Sequence, residues 1–119
     1  MNWTIIAILV AASLFLFLRR GGVVAPKVVA ALLPQNPKII DVRTVEEYQA
    51  GHLAQAINIP LADLGRKIGR HVPDKENPIL LHCASGMRSA AGRKALEQLG
   101  YGNVHNLGSF HRARALLKQ

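Results

Sequence analysis

The stretch PILLHCASGMRSAAGRKALEQLG, residues 78–100, contains a short apolar run, a loop and a helical pattern in succession. The run from Ile79 to His82 predicts a strand. From Ser89 to Leu99 apolar residues recur at helical spacing, and Gly100 is a typical stop signal. A strand that passes through a short loop into a helix is the building unit of an α/β sheet. We therefore expect a parallel strand whose carboxyl end leads into the loop that begins at Cys83.

The chain after residue 25 repeats this alternation of strand and helix. Further strand-like runs occupy residues 38–42, 56–59 and 103–107, and helical patterns occupy the segments between and after them. Thr44 and Glu47 match a capping box, which predicts a helix start directly after Arg43. Because such units need a parallel sheet with right-handed crossovers, the predicted fold class is α/β, with a central parallel sheet of about five strands and helices on both faces.

Length, charge and cysteine content narrow the range of functions. The 119 residues allow one domain. The net charge of +8 falls entirely after residue 18, which favours small anions or acidic lipid surfaces, whereas too few aromatic side chains are present to favour nucleic acid. Cys83 is the only cysteine, so an internal disulfide and a paired-cysteine redox or zinc motif are excluded. The histidine spacing indicates no metal site, and we expect no cofactor.

Residues 3–18, WTIIAILVAASLFLFL, form an uncharged apolar block that is followed by Arg19 and Arg20. Together with the two residues before it, the block would span about 27 Å as a helix, close to a hydrocarbon core of about 30 Å. We predict a transmembrane anchor at residues 1–20, a linker at 21–25 and a domain at 26–119. The positive-inside rule predicts a single-pass protein with its domain on the cytoplasmic side. A cleaved secretory signal is the alternative, but such signals carry their positive charge before the apolar stretch.

Cys83 has two alternative roles: it is either a small buried hydrophobe or a nucleophile. The loop that follows the 79–82 strand indicates which role is favoured. Gly86 can adopt the positive φ of a sharp turn, so the amides from Ala84 to Arg88 can point toward the sulfur. The dipole of the following helix and the Arg88 cation also favour a thiolate. A pKa about two units below that of free cysteine needs roughly 2.7 kcal/mol, which these effects can supply. The pattern therefore favours a nucleophile.

Two motifs, in the expected order, resemble a known family. The loop CASGMRS at residues 83–89 and the segment IIDVRTVEEYQAGHLAQAINIPL at residues 39–61 are similar to those of single-domain rhodaneses, which are sulfurtransferases. The resemblance extends from Val23 onward and implies a rhodanese-like fold. Two features depart from the family pattern. Ala84 stands where many members have an arginine, and the usual glycine-rich turn with a tryptophan appears only as NLGSFHRAR at residues 106–114.

The resemblance implies a reaction in two halves. The Cys83 thiolate would attack the sulfane sulfur of a small anionic donor such as thiosulfate or a polysulfide and keep it as a persulfide. Cyanide, a thiol or a protein acceptor would then remove the sulfur. The implied substrate-binding residues complete the loop: Ala84, Ser85, Gly86, Met87, Arg88 and Ser89. Arg88 would orient the donor anion.

Asp41 and Arg43 match the family's Asp-Val-Arg element. We expect them to support the site through a hydrogen-bond network, because a carboxylate close to Cys83 would oppose ionisation of the thiol. Direct contact with the substrate is the alternative.

Two other functions remain open from the sequence. A membrane-tethered persulfide carrier or sulfide sensor that serves a protein partner needs the same loop as an enzyme. Cysteine phosphatases resemble this fold, but they have five residues between cysteine and arginine, whereas Cys83 and Arg88 are separated by four. The shorter ring suits one sulfur atom better than a phosphoryl group.

Overall fold

The computed structural model describes residues 2–119, except for the side chains of residues 17–21. Within these residues the helices and strands are, in chain order, α1 (Trp3–Gly21), α2 (Pro26–Leu32), β1 (Lys38–Asp41), α3 (Val45–Ala50), β2 (Ile57–Asn58), α4 (Leu64–His71), β3 (Ile79–Cys83), α5 (Met87–Gln98), β4 (Val104–Ser109) and α6 (Phe110–Leu116). Two short 3-10 turns, Leu33–Gln35 and Leu61–Asp63, precede β1 and α4. The predicted alternation of strand and helix is confirmed.

Among the described residues, the sheet has four parallel strands in the order β2-β1-β3-β4. The prediction of about five strands is therefore wrong for this part of the chain. The extended residues before α2 lie against β4, where the Val24 N–H donates to the Asn106 C=O at 2.8 Å. Pro26 then begins α2, so these residues turn into a helix before they can form a strand.

Helices cover both faces of the sheet, as predicted. Every residue of the central strand β3 is buried, and its successive side chains point to opposite faces. Leu81 belongs to a buried cluster that includes residues of α4 and α5. Leu80 belongs to a second cluster, which includes residues of α2 and α6. Burial on both sides accounts for the continuous apolar run that precedes the cysteine loop.

The local signals near the two motifs are followed closely by the structure. The Glu47 N–H donates to Thr44 Oγ1 at 3.2 Å and the Thr44 N–H donates to Glu47 Oε1 at 3.1 Å, so the capping box is confirmed. The β3 strand extends one residue further than predicted, because its pairing with β4 continues to Cys83 opposite Ser109. Helix α5 begins at Met87, two residues before the predicted start at Ser89.

The N-terminal helix α1 exposes apolar side chains around its circumference, among them Trp3, Ile5, Ile8, Leu9, Val10, Leu14, Phe15 and Leu16. In the part of the chain that the structure describes, none of the helices has the length and hydropathy needed to span a bilayer. The predicted anchor and linker, residues 1–25, include Met1 and the side chains of residues 17–21, which lie outside the described residues.

Candidate active site

The carboxyl ends of β1 and β3 bring the two sequence motifs together. Asp41 is the register partner of His82, and the Val42 N–H donates to the His82 C=O at 3.1 Å. The Asp41–Arg43 segment and the loop that begins at Cys83 therefore occupy the same edge of the sheet. This edge is where open parallel sheets place their ligands.

Three hydrogen bonds converge on the sulfur of Cys83. Its Sγ accepts from the Gly86 N–H at 2.9 Å, from the Ser89 N–H at 3.4 Å and from the Ser89 hydroxyl at 3.4 Å. Gly86 has a φ of 99°, and a Cβ added there would lie 3.3 Å from the Gly108 Cα. Both the backbone angle and the close approach of the two chains therefore require glycine at position 86. The cysteine itself is fully buried.

The environment of Cys83 favours its ionised form. Burial raises the pKa of the thiol, but the hydrogen bonds from the Ser89 hydroxyl and from the amides of Ser89, Gly86 and Ser85 outweigh burial and lower the pKa below its ordinary value. The amides of Ser85 and Gly86 lie within the predicted run of Ala84 to Arg88, whereas Ser89, the strongest contributor, lies one residue beyond it. Arg88 is five residues from Cys83, but its guanidinium is engaged elsewhere.

Arg88 forms a bidentate ion pair with Glu47. The Nη1–Oε1 distance is 2.6 Å and the Nη2–Oε2 distance is 2.9 Å. The hydrogen bond from Arg88, together with those from Thr44, lowers the pKa of Glu47 to about 2, and the Glu47 carboxylate raises the pKa of Arg88. Both groups are charged at neutral pH, so the pair carries no net charge.

Asp41 and Arg43 form a second neutral pair at this edge. The Arg43 Nε and Nη2 donate to the two carboxylate oxygens of Asp41 at 3.0 and 2.8 Å, and the Arg43 backbone N–H donates to Oδ1 at 3.0 Å. Arg43 Nη2 also donates to the Gly51 C=O at 2.7 Å. Asp41 has no exposed surface. This geometry is the hydrogen-bond network expected for the two residues.

His82 lies on the opposite face of β3 from Cys83. Its ring packs beside the Phe110 ring, with 5.8 Å between centroids, and burial lowers its pKa. The alternation of side chains along a strand keeps this imidazole away from the cysteine sulfur. His82 is therefore not in a position to act as a base on Cys83.

The remaining loop side chains are small or uncharged and face outward. Ala84 and Ser85 are exposed, and Met87 is 79% exposed. Within residues 2–119 no cluster of histidine, cysteine, aspartate and glutamate side chains has an arrangement that could hold a metal ion. The loop thus offers a buried sulfur, donor amides and one paired cation.

Two residues of this site were not predicted from the sequence. Glu47 was assigned only to the capping box, and Asn106 was placed only in a strand. The Asn106 Nδ2 donates to the Gly86 C=O at 3.2 Å, and its Oδ1 accepts from the Gly108 N–H at 2.8 Å. Asn106 thereby joins β4 to the loop around Cys83. A polar amide within a predicted strand was the available signal.

Replacement of Ser89 by alanine tests the electrostatic account of the loop. Loss of the hydroxyl is expected to raise the pKa of Cys83, because a hydrogen bond to a charged group is worth roughly 1.5 kcal/mol. The rate of Cys83 alkylation by an uncharged reagent, measured against pH, should shift its midpoint to higher pH and keep the same alkaline limit. An unchanged pH profile would contradict this account.

Comparison with known proteins places this geometry in a family. The rhodanese-like domain family matches residues 25–113. The thiosulfate sulfurtransferase PspE of Escherichia coli (strain K12) is 41% identical over 69 residues, which are 58% of this chain and 66% of that protein. The putative sulfur carrier protein YrkF of Bacillus subtilis (strain 168) is 29% identical over 61% of this chain and 38% of its own length.

A solved structure shares the fold. A rhodanese with anions from E. coli has a TM-score of 0.63 and 37% identity, and the match covers 64% of this chain and 89% of that one. The chain spans just under two thirds of the length of PspE and less than half the length of YrkF. These homologues support the prediction that the chain is a rhodanese-type sulfurtransferase. With three quarters of its length matched and the cysteine loop at the expected edge of a parallel sheet, the chain belongs to the rhodanese-like domain family.

Proposed function

We propose that the protein is a membrane-anchored sulfurtransferase that moves sulfane sulfur from a donor such as thiosulfate or a polysulfide to a thiophilic acceptor through a persulfide on Cys83. The observation that carries the proposal is the convergence of two amides and one hydroxyl on a single buried sulfur. This arrangement stabilises negative charge on the thiolate, and the proposed mechanism assigns the loop amides the same role toward the outer sulfur of a persulfide.

In the first half-reaction the Cys83 thiolate attacks the outer sulfur of thiosulfate. A sulfur–sulfur bond forms to Cys83, the bond to the sulfonate sulfur breaks, and sulfite leaves with the electron pair. In the second half-reaction a cyanide or thiolate acceptor attacks the outer sulfur of the persulfide and restores the Cys83 thiolate. The loop residues 84–89 are proposed to surround the donor, with Arg88 contacting its anionic group.

Mass spectrometry of the purified full-length protein after exposure to thiosulfate tests this proposal. We expect the mass of one sulfur atom to be added to the peptide that contains Cys83, and to be lost again on addition of cyanide. Absence of the added sulfur, or its presence on the Cys83→Ser variant, would overturn the assignment.

A persulfide carrier that serves a protein partner is the second candidate, and the likeness to a putative sulfur carrier favours it. A carrier and an enzyme need the same loop, so kinetics must separate them. Single-turnover loading that is much faster than steady-state release to cyanide supports a carrier. Matched loading and release rates support an enzyme with a small-molecule acceptor.

Membrane anchoring is proposed for residues 1–20, with the domain on the cytoplasmic side. The apolar block without charges at residues 3–18, the two arginines after it and the exposed apolar side chains of α1 support this arrangement. A reporter fused after Gln119 is expected to behave as cytoplasmic, and the protein should remain with the membrane fraction after a salt wash. Labelling of a C-terminal tag by an impermeant reagent in intact cells would contradict the orientation.

A further inference from the structure

The two arginines of the sequence motifs, Arg88 and Arg43, are each held in a neutral pair. Arg88 is bound in a bidentate manner by Glu47, and Arg43 is bound by Asp41. The other side chains from residue 84 to residue 87 carry no charge. Arg88, the cation within the loop motif, is therefore neutralised, and the Met87 side chain beside it is exposed.

Glu47 and Arg88 belong to different elements, 41 residues apart in the chain. Glu47 lies in the first turn of α3, and Arg88 lies in the first turn of α5. Their side chains are about one third exposed, so the pair forms part of the surface next to the loop. A donor anion that binds Arg88 must compete with the Glu47 carboxylate, which already accepts hydrogen bonds from both Nη atoms of Arg88.

We propose that Glu47 is a specificity-determining residue, which neutralises Arg88 and directs the site toward a hydropersulfide of an uncharged organic thiol in preference to a dianion such as thiosulfate. This inference rests on the proposed function and names the donor class for the same site. The protonated hydropersulfide offers its terminal sulfur without a charge to be neutralised, and its organic group can contact Met87.

The proposed loading step is balanced. The Cys83 thiolate attacks the terminal sulfur of the hydropersulfide R–S–SH, the bond between its two sulfurs breaks, and R–S⁻ leaves with the electron pair. Cys83 is then the protein-bound hydropersulfide. The sulfur–sulfur bond is exchanged, so no external oxidant or reductant takes part.

The variant Glu47→Gln tests the inference. Glutamine keeps the reverse hydrogen bond of the capping box, because glutamine serves at that position as glutamate does, and it removes the charge that neutralises Arg88. The matched control is Glu46→Gln, which makes the same charge change on the neighbouring exposed residue and leaves Arg88 paired. The readout is the second-order rate of persulfide formation on Cys83 in the full-length protein, followed by mass spectrometry with thiosulfate and with benzyl hydropersulfide.

We expect Glu47→Gln to raise the rate with thiosulfate by about fivefold to tenfold at low ionic strength, from the attraction between a dianion and one unpaired cation. The rate with benzyl hydropersulfide should stay within about twofold, and added salt should remove most of the gain with thiosulfate. The control should show neither effect. The two donors differ in intrinsic reactivity, so their rates are not compared directly. The inference is tested by the ratio of the thiosulfate rate to the hydropersulfide rate in each variant, relative to the same ratio in the parent protein.

A ratio that Glu47→Gln leaves unchanged, or that Glu46→Gln changes equally, would overturn the inference while leaving sulfur transfer intact. Equal loss of both rates would also overturn it, because Glu47 would then position Arg88 for any donor. Failure of both donors to load the parent protein would instead overturn the proposed function, and the inference with it.

Discussion

Replacement of Cys83 by serine is expected to reduce sulfur transfer from thiosulfate to cyanide by at least about a thousandfold, because a hydroxyl neither ionises near neutral pH nor holds a transferable sulfur. The chain has one cysteine, so no neighbouring thiol can replace it. Steady-state formation of thiocyanate by the full-length protein is the measurement. The size of the loss distinguishes a covalent route from one in which the loop only brings donor and acceptor together.

The control for this variant is its folding. Cys83 is fully buried within a cluster of apolar residues, so serine introduces a more polar group there at a cost of about 1–3 kcal/mol. The urea concentration at which half of the variant is unfolded should therefore fall. The variant should still be folded in the urea-free assay buffer. Substantial thiocyanate formation by a folded Cys83→Ser protein would contradict the covalent mechanism.

Replacement of Asp41 by asparagine is expected to cost about 3 kcal/mol in the free energy of unfolding, because it leaves the buried Arg43 cation without its counter-charge. Asp41 has no exposed surface and the Arg43 side chain is 8% exposed. Asparagine keeps the shape of the side chain, but its amide group faces a guanidinium nitrogen in place of a carboxylate oxygen. Urea unfolding of the full-length protein in a mild detergent measures the loss.

Asp63→Asn is the matched control for this prediction. Asp63 pairs with Arg66 at 2.6 Å, but the Arg66 side chain is 72% exposed, and exposed ion pairs are worth about 0–1 kcal/mol. Both variants remove one charge from an aspartate–arginine pair, but the pair of Asp63 is largely exposed, and Asp63 also lies 3.8 Å from the exposed Lys67. Similar losses in both would mean that the Asp41–Arg43 network contributes little to stability.

Local sequence signals predicted the elements around the site well. The capping box of Thr44 and Glu47 fixed the start of α3, and Gly86 has the positive φ that its place in a tight loop indicated. Such signals depend on residues that are close in the chain, so they can be recognised without knowledge of the tertiary contacts. The alternation of β-branched and apolar runs with helical patterns likewise predicted the α/β class, since the central strands β1 and β3 are covered on both faces.

The contacts that tune the site could not be predicted in the same way. The Glu47–Arg88 pair joins two helices that are distant in the chain, and the capping box already gave Glu47 a sufficient role. The prediction of about five strands exceeded the four strand-like runs in the sequence, and among the described residues the sheet has one strand for each of those runs. The loop between β3 and α5 is shorter than predicted. Pairing with β4 extends the strand by one residue, and the turn at Gly86 lets the helix begin two residues earlier.

The hydrogen bond between Val24 and Asn106 sets a short tether. Only Gly22 and Val23 separate the last residue of α1 from this fixed point, and Arg112 also holds the Val24 C=O. Three extended residues reach about 10 Å, so this connection keeps the end of α1 close to β4. Since Asn106 also supports Gly86, a mechanical pull on the N-terminal helix would act on the strand that shapes the sulfur-binding loop.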